Sequence, residues 1–223
     1  MSGSMEGKIV LITGAGKGKG RALAEELSRR GAVVAANDIL PINLDELVRQ
    51  GGGKVKAYTE DIVKKVAIQS IINQVEDDLG RIDVLINHAA VEPRSPLLEM
   101  DEWDWHRVWD VNLTGTFLAM QSAGRVMRAQ GSGVIINIIT AGGLPGGQVE
   151  NKTAYLASVF GLLGLTRSAA AELAPYGIHV HAVGSGLAEF QHADPGIPSD
   201  LIEAVIHLCI SSLNGQIVNV EAK

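Results

Sequence analysis

The sequence predicts an α/β fold, a doubly wound and mainly parallel sheet of seven strands within one domain. Three observations carry that prediction. Seven short runs rich in β-branched residues recur along the 223 residues. Helix-spaced apolar patterns fall between them, so strands and helices alternate, and right-handed crossovers then make neighbouring strands parallel. A glycine-rich loop joins the first strand to the first helix, and no linker or low-complexity stretch divides the chain.

The strands are KIVLIT (8–13), AVVAAND (32–38), KVKAYT (54–59), RIDVLIN (81–87), GVIINII (133–139), IHVHAV (178–183) and QIVNV (216–220). Near-continuous apolar cores such as VLI and VIINII suit strands buried on both faces. Ile68, Ile71, Ile72, Val75 and Leu79 recur at helix spacing, as do Leu162, Leu163, Leu165, Ala169 and Leu173. The opening MSGSM, residues 1–5, has a second methionine and no apolar signal region. It is expected to be an expression remnant, which leaves 6–223 as the single domain.

Composition narrows the function classes. Hydrophobic content of 46% with 20% charged residues suits a globular protein rather than a disordered one. A net charge of −6 argues against a general nucleic-acid surface. No apolar run reads as long enough to span a membrane. The one cysteine, Cys209 in IHLCI, is expected to be a buried thiol, which rules out a disulfide framework and points to the cytoplasm. The histidines lack cysteine or carboxylate partners at metal spacing, so no metal site is expected.

The glycine loop LITGAGKGKGRALAEEL (11–27) sits where ligands meet the carboxyl ends of such a sheet. Glycines let the backbone approach a phosphate, and the helix start favours negative charge. A triphosphate loop needs Gly, four residues, then Gly-Lys-Ser/Thr, and no such register exists here. The strict G-x-G-x-x-G pattern fails too, because it would need glycine at 19 or 21. What fits is T-G-x-x-x-G-x-G, on Thr13, Gly14, Gly18 and Gly20.

With its companions, this loop resembles that of the short-chain dehydrogenase/reductase family. Those companions are Asp38, the Asp61-Ile62 pair, NHAA (87–90), VNLTGTF (111–117), GVIINIITAGG, Tyr155 and AELAPYGIHVHAV, in that order. The resemblance runs over essentially the whole chain and implies a Rossmann-type domain that binds NAD or NADP. Gly14, Lys17, Gly18, Lys19 and Gly20 would then hold the pyrophosphate. Lys19 is a departure from the family's apolar residue, and it either pairs with the pyrophosphate or points to solvent. Asp38, eighteen residues past Gly20, can accept both ribose hydroxyl protons of an adenosine and repel a 2′-phosphate. That favours NAD over NADP, although Lys17 pulls the other way. Asp61 and Ile62 resemble the pair that flanks the adenine. Asn87 resembles the asparagine that steadies the central sheet, and Ala89 and Ala90 leave room for the cofactor. His88 reads as a packing or backbone-bonding residue rather than a base.

The reaction centre departs from the family pattern. Family members interconvert alcohols and carbonyls with a serine, a tyrosine and a lysine, assisted by an asparagine. The tyrosine maps onto Tyr155, the asparagine onto Asn112, where it would position water, and the serine onto Thr140, which keeps a hydroxyl. The lysine position, four residues after Tyr155, holds Val159. A tyrosine with an unperturbed pKa of about 10 is roughly 0.1% ionised at pH 7. Losing the cation therefore threatens alcohol oxidation by about three powers of ten, or roughly 4 kcal/mol. Carbonyl reduction suffers less, because a neutral tyrosine still donates. Lys152, three residues before Tyr155, would need a different loop path to stand in.

The segment after the sixth strand is short as well. Ser185 takes the family's usual proline position, and eleven residues separate Gly186 from the helix start at Pro198, where a longer lid is usual. Two readings stay open: an NAD-dependent oxidoreductase of an alcohol or carbonyl substrate, or an impaired relative that binds nucleotide or a partner subunit without turnover. The resemblance also implies a homo-oligomer, dimer or tetramer, built on the helices at 101–130 and 153–175 and on the last strand. Trp103, Trp105 and Trp109 read as interface or core anchors.

Overall fold

In the computed structural model, residues 4–140, 149–187 and 191–220 are described. Seven parallel strands form one sheet in the order β3-β2-β1-β4-β5-β6-β7. They are β1 (Ile9–Thr13), β2 (Val33–Asp38), β3 (Val55–Thr59), β4 (Val84–Asn87), β5 (Gly133–Thr140), β6 (Ile178–Ser185) and β7 (Ile217–Asn219). The order reverses between β1 and β4, and the crevice at that switch point is where the carboxyl ends of the strands leave room for a ligand.

Helices cover both faces, as near-continuous apolar strands demand. On one side lie α1 (Gly18–Arg29), α2 (Ile42–Gln50) and α7 (Leu201–Ile210); Leu23, Leu27, Leu44 and Leu47 are buried over β1, β2 and β3, and Val205 over β5 and β6. On the other lie α3 (Lys65–Leu79), α5 (Thr116–Gln130) and α6 (Thr153–Leu173). The α3 stripe Ile68, Ile71, Ile72 and Val75 is buried as its spacing predicts. Asp200 caps α7, accepting from Ile202 N at 3.0 Å and Glu203 N at 3.2 Å.

Several details differ from expectation. The stretch 101–130 is not one regular helix. It runs as α4 (Glu102–Val108), a π-helical segment (Trp109–Gly115), then α5. Such widened turns cluster at functional sites, and this one carries Asn112. Helix α6 with its 3-10 extension, Thr153–Tyr176, is long and apolar enough to cross a membrane by composition, which overturns the sequence reading. It is nonetheless a sheet-covering helix, with Tyr155, Leu162, Leu163 and Ala170 buried. Trp103 is exposed, while Trp105 and Trp109 pack with ring centroids 5.5 Å apart. Met5, placed in the expected remnant, is buried in the core, and its N–H donates to Arg30 O at 3.0 Å. Cys209 is a buried free thiol whose pKa burial pushes up to about 12.

Candidate active site

The glycine loop turns sharply because β1 must hand over to α1 beneath the cleft floor. Gly14 has φ +68°, and a Cβ there would lie 2.8 Å from the Ala89 Cα. At Gly20 a Cβ would overlap both Gly14 O and the His88 ring, so only glycine lets α1 seat this closely. Thr13 Oγ1 accepts from His88 N at 3.2 Å and from Ala89 N at 3.3 Å, fixing the β1 and β4 ends side by side. His88 Nδ1 lies 3.1 Å from Gly14 O, which gives the imidazole a backbone-bonding role. Burial holds its pKa below the ordinary histidine value, and the charge of Lys19 adds to that.

Asp38 ends β2 and is 7% exposed. Its Oδ2 accepts from Gly16 N at 3.1 Å, and its Oδ1 from Leu40 N at 3.0 Å and Asn43 Nδ2 at 3.1 Å. Three donors thus fix the carboxylate on the cleft wall. Gly14, Lys17, Asp38, Asp61, Ile62, Ala89, Ala90 and Tyr155 all line one cleft of about 450 Å³. Gly18, Lys19 and Gly20 lie at the head of α1 rather than on that wall.

Deeper in, Asn87 ties β4 to β5 by donating from Nδ2 to Asn137 Oδ1 at 2.9 Å. Asn112 reaches back from the π-helical segment to clamp the strand exit. Its Oδ1 accepts from Val91 N at 2.8 Å, and its Nδ2 donates to Val91 O at 3.0 Å and to Ser158 Oγ at 3.1 Å. The side-chain amide expected to position water is thus engaged in holding the backbone. Tyr155 is buried in α6, with Val159 one turn on. Thr140 closes β5, but its side chain lies outside what is described, as do residues 141–148.

Lys152 pairs with Glu92 at 2.9 Å and is buried. Its ammonium is held by that carboxylate, on the same stretch where Ser95 N donates to Asn151 O at 3.0 Å. The segment after β6 returns along β7, where His192 and Ile217 exchange hydrogen bonds of 3.0 and 2.8 Å. Among the described residues, none from 191–200 lines the cleft. Sequence reasoning missed Gly16, Asn43, Val91 and Ser158. Only Gly16, inside the glycine loop, carried a signal in the sequence.

The cleft can take a dinucleotide: glycines that admit a backbone approach, a helix start, and a carboxylate at the end of β2. Known proteins agree with this geometry. The short chain dehydrogenase family model matches residues 8–195. The chain is similar to the 3-oxoacyl-(acyl-carrier-protein) reductase FabG of Thermotoga maritima, 38% identical over 188 residues, covering 83% of this chain and 76% of the relative. It is also similar to the D-threitol dehydrogenase of Mycolicibacterium smegmatis, 33% identical, covering 80% and 69%. A solved gluconate 5-dehydrogenase from Burkholderia cenocepacia, in complex with NADP and tartrate, superposes with a TM-score of 0.84 at 28% identity, covering 98% of this chain and 95% of that one. The chain is an oxidoreductase-type member of the short-chain dehydrogenase/reductase family.

Proposed function

We propose that the protein is an NAD(H)-dependent oxidoreductase acting on an alcohol or carbonyl substrate. The observation that carries the cofactor choice is the Asp38 carboxylate, held on the cleft wall by Gly16 N, Leu40 N and Asn43 Nδ2. A fixed anion at the end of β2 suits two ribose hydroxyls and opposes a 2′-phosphate. When bound, the nicotinamide would supply or accept the hydride. Tyr155 would exchange the proton on the substrate oxygen, and Thr140 would hold that oxygen. Asn112 would act by keeping Val91 and Ser158 in place beneath Tyr155.

With Val159 in place of a cation, the reductive direction is the stronger one, since a neutral Tyr155 can donate without first ionising. The names of the relatives above, all of them enzymes, favour turnover over binding alone. Exposed Phe117 on α5 and Phe160 on α6 support self-association through that helical face. The single buried thiol suits a reducing, cytoplasmic setting. The test is NADH oxidation against a panel of small carbonyls, with Tyr155→Phe as the control. Turnover that survives in the variant removes Tyr155 from the chemistry.

A further inference from the structure

A chain of hydrogen bonds holds the amide of Asn87 in one orientation. Thr166 Oγ1 donates to Leu162 O at 2.7 Å, so toward Asn137 it only accepts, and Asn137 Nδ2 donates to it at 2.9 Å. Asn137 Oδ1 is thereby turned toward Asn87, whose Nδ2 donates to it at 2.9 Å. Asn87 Oδ1 ends the chain as an acceptor. It is buried and accepts no hydrogen bond from any described residue.

Asn87 lines a crevice of about 20 Å³ together with Asn112, Tyr155, Ser158 and Val159. That is room for one water-sized molecule. Asn112, Ser158 and Thr116 direct their protons elsewhere. Asn112 Nδ2 donates to Val91 O and Ser158 Oγ, and Ser158 Oγ donates to Tyr155 O at 2.7 Å. Thr116 Oγ1, also in the lining, donates to Asn112 O at 3.0 Å. Val159 brings only methyl groups.

We propose that this crevice binds a single water-sized hydrogen-bond donor, a water molecule or an ammonium ion, seated on Asn87 Oδ1 beside Tyr155. A buried amide oxygen left without a donor costs more than immobilising one small molecule. Ser158 Oγ keeps a second lone pair in the same lining, which gives the guest a second partner. Valine at 159 is what leaves the space, so the occupant is set by solution composition rather than by a side chain. An ammonium ion there places a positive charge beside Tyr155 and favours its phenolate, whereas water does not.

The test combines crystallography with melting curves, and neither needs nucleotide, so its outcome is independent of the cofactor reading. The wild type is expected to show ordered density within hydrogen-bond distance of Asn87 Oδ1. Val159→Ile fills the crevice, evicts the guest and strands the acceptor, lowering the melting midpoint by about 3–8 °C. In a dry void the same methylene would improve packing and raise the midpoint. An empty crevice in the wild type, or a raised midpoint in Val159→Ile, overturns the proposal. Equal-strength ammonium and sodium chloride separate the two guests. A wild-type midpoint higher in ammonium, with no such gain in Val159→Ile, assigns the ion. Equal midpoints, with the density present, assign water.

Discussion

Asp38 Oδ2 accepts a hydrogen bond from Gly16 N at 3.1 Å, joining the end of β2 to the middle of the glycine loop. The contact couples two features that stand 22 residues apart, the glycine loop proposed to cradle phosphates and the carboxylate proposed to face a ribose. A Cβ at Gly16 would press on Asp38 and Asn43, so the loop can carry no larger residue while this bond persists.

Gly14→Ala is expected to cost more than Gly18→Ala. Both positions have positive φ, which costs an alanine roughly 1–2 kcal/mol. Only Gly14 also meets backbone, at 2.8 Å from the Ala89 Cα, whereas nothing lies within 4 Å of a Cβ at Gly18. Paired melting curves check this, with the Gly14 variant lower by several degrees, about 2–4 °C per kcal/mol. Equal midpoints would mean that the β1 and β4 ends are not held together as described.

Tyr155→Phe is expected to lower carbonyl reduction by about 10²–10⁴-fold, the usual worth of a positioned proton donor. NADH affinity should stay within about threefold, because the substitution removes a hydroxyl and leaves the buried ring. Single-turnover NADH oxidation and calorimetry separate the two effects.

Stability is expected to fall below neutral pH through His181. The ring is fully buried, and burial, with a smaller contribution from His179, lowers its pKa from 6.5 to about 4. The unfolded chain therefore binds a proton that the folded chain refuses. The stabilisation is complete above pH 6.5 and is lost between there and about 4, up to roughly 3 kcal/mol. Denaturant midpoints from pH 7.5 to 4 should show this slope, and His181→Leu should flatten it even though Gln216 N loses its acceptor.

The alternation of strands and helices was legible because period-2 and period-3.6 patterns report burial directly. Boundaries were less so. Residues 81–83 read as strand, yet β4 begins at Val84, because Asp83 meets β1 partly through its side chain, whose Oδ2 accepts from Ile9 N at 2.9 Å while Oδ1 pairs with Arg81 at 2.7 Å. The π-helical segment was invisible, since one extra residue per turn leaves the apolar pattern around Asn112 almost unchanged. The extent of α6 was legible, but its apolar character was under-read: a helix packed on a buried sheet can be as apolar as one in lipid. At the site, Gly14, Asp38 and Tyr155 announced themselves by type and order. The grip of Asn112 on Val91 and Ser158 did not, because it joins residues 21 and 46 positions apart through side-chain geometry alone.

The most direct measurement is a calorimetric titration of the protein with NADH and with NADPH, repeated on Asp38→Ala. The fixed carboxylate predicts that NADH binds at least about tenfold tighter, a difference of roughly 1.4 kcal/mol, and that the variant narrows the gap. NADPH binding as tightly as NADH, or neither nucleotide binding, would contradict the assignment of this cleft to NAD(H).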